Sequence, residues 1–476
     1  MDYFRIQGGD PLAGSIPVAG AKNAVLPILA AGLLTDGTLE IPNSPRLRDV
    51  RTLSELLEAM GCGVERKDSG AISISGAGPI TWEATWEQVR QMRASICVLG
   101  PLVGRFGRAR VSLPGGCVFG VRPIDVHLKG LAALGAEVRI EAGFVEAWVP
   151  ERPGGSSELP SAGGGTDFVD MPGTGGNVQV AGEATAAVAT KTCAANQAVQ
   201  RIGGRLKGAE VFLGTPAGPT VTGTMNVLMA ATLAEGRTVI HGAACEPEVG
   251  DLVECLNAMG AKISGKDSPT LTIDGVEALH GATHNVIPDR IEAGTYLMAG
   301  AICGSRVRVT GCVPGHLSAP VDALQQAGYQ FTKGPDWIEI QPRRQRPIPV
   351  DVTTQPYPGF PTDLQAQMMA LMALADGTSV ITDRIYPDRY MHLPELLRLG
   401  ARIRRQGATA IIEGVPSLSG APVTASDLRA SAALVLAGLV ADGETSVHRV
   451  YHIDRGYERI DVALAKVGGR IERLEE

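Results

Sequence analysis

The sequence predicts a repetitive α/β fold built from six copies of one helix–strand–helix–strand unit, and three observations carry that expectation. Six segments end a helical run with an apolar residue, a glycine and a short β-like run: LEAMGCGVE, LAALGAEVRI, LNAMGAKIS, LQQAGYQF, LLRLGARIR and LAKVGGRIE. Their glycines, at 61, 135, 260, 328, 400 and 468, suit the left-handed position that stops a helix. A second series, with glycines at 37, 107, 236, 304, 377 and 443, precedes the first by 23 to 28 residues each time. Finally, 60 glycines and 31 prolines supply turns, while 4% aromatic residues within 44% hydrophobic ones leave the core to Ala, Val, Leu and Ile.

Taken in order, the start MDYFRIQGGD lacks the basic region of a secretory leader. The run AVLPILAAGLL at 24–34 is interrupted by Pro27 and is too short to span a bilayer, so it reads as a buried helix of the first unit. Glycines of the first series are then spaced by 74, 125, 68, 72 and 68 residues. The one long interval marks an insertion at about 152–202, a Gly/Ser/Pro tract followed by an Ala-rich stretch with helical character, expected to decorate the surface. The net charge of −7, with acids and bases interspersed, argues against a nucleic-acid partner but leaves room for a cleft focusing positive potential on a small anion. Eight cysteines without a CxxC pair, and no GxxxxGK[ST], HExxH or GxGxxG motif, predict a cytoplasmic protein without metal or dinucleotide cofactor.

Certain stretches carry chemistry. In LPGGCVFGVRP, at 113–123, Cys117 sits among glycines with Arg122 close behind, a setting that frees a loop to move and favours thiolate. Lys22, in GAKN, stands before an apolar helix where an anion is favoured. Asp363 in FPTD opens the run LQAQMMALMALA, so a helix cap competes with a catalytic role. His127 and His392 lie beside such motifs and read as hydrogen-bonded structural histidines.

GAKN, LPGGC with GVRPIDVHLKGL, PDRIEAGTY, FPTDLQAQ, DRYMHLPEL, DLRASAALVLAG and YHIDRGYERID occur in that order, and together the chain resembles the UDP-N-acetylglucosamine 1-carboxyvinyltransferase family of enolpyruvyl transferases. The resemblance implies an inside-out α/β barrel of two domains with the active site in the cleft between them. One domain would be 22–287, carrying repeats 1–3, the Cys117 lid and the insertion; the other would be 1–21 plus 288–476, carrying repeats 4–6. It implies transfer of the enolpyruvyl group of phosphoenolpyruvate to the 3′-hydroxyl of UDP-N-acetylglucosamine, releasing phosphate, as the first committed step of peptidoglycan synthesis.

By the same resemblance, Lys22, Asn23, Arg122, Arg389, Arg429 and Arg455 would bind phosphoenolpyruvate. Asn23, Arg93, Arg122, Pro123, Ile124, Asp125, Val126, Thr220, Val221, Thr222, Asp363 and Ile385 would bind the nucleotide sugar. Cys117, Asp363, Lys22 and Arg455 would be catalytic, with Asp363 as base for the 3′-hydroxyl. Cys117 would act as acid or in product release and be the atom alkylated by the epoxide fosfomycin. GPTVTGTMN at 218–226 departs from the family's lysine-SVGAT: Gly218 replaces a diphosphate-binding lysine. Two alternatives share parts of this pattern. A shikimate-pathway enolpyruvyl transferase would lack the lid cysteine, and an inactive UDP-sugar-binding paralogue would lack one of the catalytic set.

Overall fold

The structure is a computed structural model that describes residues 2–89, 92–113, 124–151 and 201–475. Cys117, Arg122, Pro123 and most of the insertion lie outside the described residues, as does the side chain of Arg93.

Each unit begins with a helix buried almost end to end. Lys22–Ala31, Leu99–Phe106, Val221–Ala231, Arg290–Ile302, Gln365–Met372 and Leu428–Gly438 form this inner set. Residues such as AVLPILAA and ASAALVLAG, apolar on every face, demand that placement. Their small side chains let helices approach closely: a Cβ on Gly100 would lie 2.2 Å from the Asn226 carbonyl oxygen of the neighbouring inner helix.

Outer helices are amphipathic, as in Arg48–Ala59, where Val50, Leu53, Leu56 and Leu57 are buried. All six stop identically. Gly61, Gly135, Gly260, Gly328, Gly400 and Gly468 have φ between 91° and 104°, the left-handed conformation expected from the sequence. The residue after each glycine donates its N–H to a leucine carbonyl five positions back: Cys62 to Leu57, Ala136 to Leu131, Ala261 to Leu256, Tyr329 to Leu324, Ala401 to Leu396 and Gly469 to Leu464, at 2.9–3.1 Å. Each of those leucines is fully buried, so the stop signal also pins the helix to the core.

The expected two-strand unit is corrected by the structure to four. After the outer helix the chain makes an antiparallel hairpin, such as Gly63–Arg66 with Ile72–Ser75, which joins the strand from the inner helix, Thr38–Ile41. A short parallel edge strand completes each four-stranded sheet. Sequence reading missed the hairpins because one arm follows each glycine within a few residues and the other lacks a punctuating signal.

The first sheet takes its edge, Ala282–Thr283, from the far end of the third unit. Ala13–Pro17 edges the fourth sheet beside Arg306–Thr310, and Asp2–Gln7 lies inside the sixth between Glu444–His448 and Arg470–Glu475. Two hydrophobic cores result. One gathers buried residues from Ala21 to Val286, and the other joins Phe4, Ile6, Leu12 and Ile16 to residues from Ile291 to Ile471. In both, inner helices occupy the centre and sheets the outside. The chain passes between them twice, side by side: Ala21 N–H donates to Ile287 O at 2.7 Å and Asp289 N–H to Ala19 O at 2.9 Å.

Arg201–Gly204 is already anchored to the second unit. Gly203 N–H donates to Phe106 O at 3.0 Å, and Gly204 N–H to Val149 O at 2.9 Å. The flanks of the insertion are therefore neighbours, just beyond the end of the strand Phe144–Trp148.

Candidate active site

Inner-helix starts from both cores supply Lys22, Asp363 and Arg429 to the seam between them, while Asp49 comes from an outer helix and Arg389 and Arg455 from connecting segments. Lys22 is the first residue of its helix, with its backbone N–H on Asp289 Oδ2 at 3.2 Å. Its ammonium lies 2.7 Å from Asp49 Oδ2, and Arg455 grips the same carboxylate from the other core at 2.9 and 3.3 Å. Burial of Lys22 lowers its pKa, partly offset by Asp49, with Arg455 and Arg429 adding to the depression. Asp49 meets the opposite balance: burial would raise it, but Lys22 and Arg455 hold it below the usual carboxylate range.

Asp363 is the second convergence. It lies in the 3₁₀ turn Thr362–Leu364, where neither it nor Thr362 makes a side-chain cap bond, so the competing cap role is not what the carboxylate does. Its oxygens accept instead from Arg389 Nη1 at 2.7 Å, Arg429 Nη2 at 3.4 Å and Asn23 Nδ2 at 3.5 Å, the last from the other core. Burial pushes Asp363 up, yet Arg429 and Arg389 outweigh it and hold the group far below an ordinary aspartate. Arg429 is itself 2% exposed, donates to Tyr457 Oη at 3.2 Å and stacks its guanidinium 5.5 Å from that ring. Tyr457 Oη pairs with Thr295 Oγ1 at 2.8 Å, so the arginine is backed by a fixed phenol.

A third group lies within the first core. Thr220 caps Val221–Ala231 by accepting from Gly223 N–H at 3.3 Å. Thr222 Oγ1 sits 3.4 Å from His127 Nε2, bringing the Thr220–Thr222 turn to the start of Asp125–Ala133, with Ile124, Asp125 and Val126. Asn226 Nδ2 lies 2.9 Å from His127 Nδ1 and also donates to Ile96 O at 3.1 Å, which makes Nδ1 the acceptor and leaves the hydrogen on Nε2. Burial, weakly opposed by Asp125, pulls His127 down to about 4, so it stays neutral. Burial likewise carries His392 down to about 4.

Ile385 is tied to the Asp363 group through Asp383, whose carboxylate accepts the Ile385 N–H at 3.0 Å and the Thr362 hydroxyl at 2.6 Å. The structure thus gathers Lys22 with Arg455, gathers Asp363 with Asn23, Arg389 and Arg429, and sets Thr220–Thr222 beside Ile124–Val126.

Sequence reasoning missed Asp49, Tyr457, Asp383 and the buried pair Arg290–Glu248, at 3.0 Å across the seam. Asp49 had a signal: it is a lone acid on the face that carries Leu53, Leu56 and Met60. Tyr457 follows Arg455 by two residues, and Arg290 lies within PDRIEAG; neither placement reveals a partner.

The chain matches the profile of the family described as EPSP synthase (3-phosphoshikimate 1-carboxyvinyltransferase) over residues 6–161 and 181–464. It is 50% identical over 476 residues, 100% of each chain, to UDP-N-acetylglucosamine 1-carboxyvinyltransferase of Anaeromyxobacter dehalogenans strain 2CP-C. To the protein of that name from Granulibacter bethesdensis it is 46% identical over 475 residues, again 100% of each. Among solved structures, the enolpyruvyl transferase NikO from Streptomyces tendae superposes with a TM-score of 0.79 at 24% identity, over 99% of this chain and 98% of that one. An EPSP synthase from Acinetobacter baumannii gives 0.67 at 17% identity over 100% of both. Both likenesses concern the fold.

Proposed function

The chain belongs to the EPSP synthase family of 1-carboxyvinyltransferases, and we propose that it transfers the enolpyruvyl group of phosphoenolpyruvate to the 3′-hydroxyl of UDP-N-acetylglucosamine. Full-length identity of 46–50% to enzymes of that name supports this acceptor over shikimate 3-phosphate. The observation that carries the mechanism is the convergence on Asp363 of two buried arginines from one core and an asparagine from the other.

Phosphoenolpyruvate brings a phosphate and a carboxylate, and Lys22, Arg389, Arg429 and Arg455, with Arg122, supply cations for both. Asp363 is too weak a base while Arg389 and Arg429 are aimed at it. An incoming anion draws those guanidiniums to itself, and the carboxylate's basicity rises as the substrate arrives. It then takes the proton of the 3′-hydroxyl as that oxygen bonds to C2 of the enol and C3 gains a proton, for which Cys117 is the candidate donor. In the second half, C3 loses a proton, the C2–O bond to phosphate breaks, and the double bond is restored in the product. Ile124–Val126 and Thr220–Thr222 would hold the nucleotide, where hydroxyls and helix N–H groups serve in place of the lysine absent at 218.

We assign the reaction to the cytoplasm as the first committed step of peptidoglycan synthesis, with fosfomycin as an inhibitor. Among the described residues no helix is long and apolar enough to cross a membrane. The deciding experiment is phosphate release. It is expected only with both substrates present, to persist in chelator, and to be absent when shikimate 3-phosphate replaces the nucleotide sugar. Release with shikimate 3-phosphate alone as acceptor, or dependence on a divalent ion, overturns the proposal.

A further inference from the structure

Asp383 is fully buried just beyond the strand Thr378–Thr382, and its carboxylate joins three segments. Oδ1 accepts the Thr354 hydroxyl at 2.7 Å and the N–H groups of Ile385 at 3.0 Å and Tyr386 at 2.8 Å. Oδ2 accepts the Thr362 hydroxyl at 2.6 Å. Thr354 Oγ1 in turn accepts the Arg384 N–H at 3.0 Å, so the whole turn 384–386 hangs from this one side chain and its threonine. A buried carboxylate persists only where donors replace its water, and here four do so directly.

The direction of the Thr362 bond matters most. Because its only hydrogen points to Asp383, the Thr362 oxygen presents a lone pair outward, and Arg389 Nη1 donates to it at 3.2 Å while reaching Asp363 Oδ1 at 2.7 Å. Thr362 also precedes Asp363 directly in the chain.

We infer that Asp383 is a positioning residue for the transfer reaction, aligning Arg389 and Asp363 through the Thr362 hydroxyl and holding the Ile385 turn through its other oxygen. Its link to Arg389 runs through the Thr362 hydroxyl, and the two oxygens serve two substrates: Oδ2 the phosphoenolpyruvate side, Oδ1 the nucleotide-sugar side. This rests on the proposed reaction and the subsites assigned there.

The two oxygens make the inference testable by substitution. In Asp383→Asn, the amide oxygen must stay on the two backbone N–H groups, since the reverse orientation would set NH₂ against them. The amide NH₂ then faces Thr362, takes the lone pair used by Arg389 and leaves the hydroxyl hydrogen without its acceptor. Asp383→Asn and Thr362→Val should therefore share one defect. Each is expected to lower kcat/KM for phosphoenolpyruvate by about 10- to 100-fold, the scale for a misplaced reacting group, while KM for UDP-N-acetylglucosamine moves by no more than about threefold. The double variant should be no worse than about threefold below the poorer single one, because both changes break the same link. Asp383→Ala should add a rise of about tenfold in KM for the nucleotide sugar. Thr362→Ser, which retains the hydroxyl, should restore most of the loss seen in Thr362→Val.

Thermal unfolding of each variant accompanies the kinetics. If the Asp383 variants do not fold, the Val and Ser changes at Thr362 still decide the Oδ2 arm. Losses that multiply in the double variant, near-wild-type kinetics in folded Asp383→Asn, or equal defects in Thr362→Val and Thr362→Ser overturn the inference. A wild-type protein that turns over neither substrate overturns the reaction itself and this inference with it, and is told apart by the unmutated control.

Discussion

Asp363→Asn separates chemistry from electrostatics at the centre of the site. The carboxylate lies 2.7 Å from Arg389 and 3.4 Å from Arg429, and the change removes its charge while leaving an amide oxygen able to keep one of those bonds. Loss of a positioned base should slow turnover by about 100-fold or more, equivalent to about 2.7 kcal/mol of barrier. Two guanidiniums also lose their counter-ion. Breaking a buried pair costs about 3–5 kcal/mol, and since the Asp363 side chain keeps 24% exposure the lower end, about 3 kcal/mol, is the appropriate figure. The variant should therefore unfold at a lower temperature in buffer. Phosphoenolpyruvate, which supplies negative charge to the same arginines, should raise its midpoint by more than it raises that of the wild type. The assays are phosphate release under saturating substrates and thermal unfolding with and without phosphoenolpyruvate. Turnover within threefold of wild type would refute the base assignment, and equal stabilisation of both proteins would refute the shared-cation argument. Acid cannot mimic the change in the working range: a pKa held below its unfolded value of about 3.9 means that the stabilisation is complete above that pH and is lost only as pH falls further.

Glu292 behaves oppositely, since burial, with Asp289 and Glu458 adding repulsion, raises it to about 8 against the bonds from Ala19 N–H and Tyr296 Oη. Its stabilisation is present below the unfolded pKa of about 4.3 and fades as pH rises to about 8, so Glu292→Gln should flatten the fall in unfolding midpoint between pH 5 and 8; an unchanged slope contradicts this. Removing 152–200 and joining the flanks by a short turn should leave a folded, active enzyme, because Val149 O and Gly204 N are already 2.9 Å apart; an insoluble or inactive product means the segment packs on the cleft or core. Fosfomycin should label Cys117 and none of the six cysteines among the described residues, faster with UDP-N-acetylglucosamine present, since burial pushes Cys62, Cys97, Cys255 and Cys303 to about 12 and also raises Cys245 and Cys312; mass mapping that finds label on any of those six, or none on Cys117, defeats the assignment.

What was legible in the sequence follows from the range of the interactions involved. Each helix stop depends on a few adjacent residues, a leucine, a glycine and the residue after it, and so six of them could be read directly as a repeat. The arginines were legible only as parts of ordered motifs; of their counter-ions Asp363 lay in such a motif, whereas Asp49 showed only as a lone acid on an apolar face, since it lies 406 positions from Arg455 and that pair forms only once two cores meet. Asp383 shows the boundary most clearly. It stands two residues before Ile385 and twenty before Ile403, within a polar run, TDRIYPDRY, that reads as an exposed turn. Nothing local says that a strand edge at Thr354 and a helix entry at Thr362 will close over it and strip its water. The acid is retained there because the fold supplies donors from three segments, and those donors in turn set the direction of the hydroxyl that Arg389 meets. The acids that aim the predicted cations come from distant segments, so the motifs that carry Lys22, Arg389, Arg429 and Arg455 can be read from the sequence while the contacts made by Asp49 and Asp383 cannot.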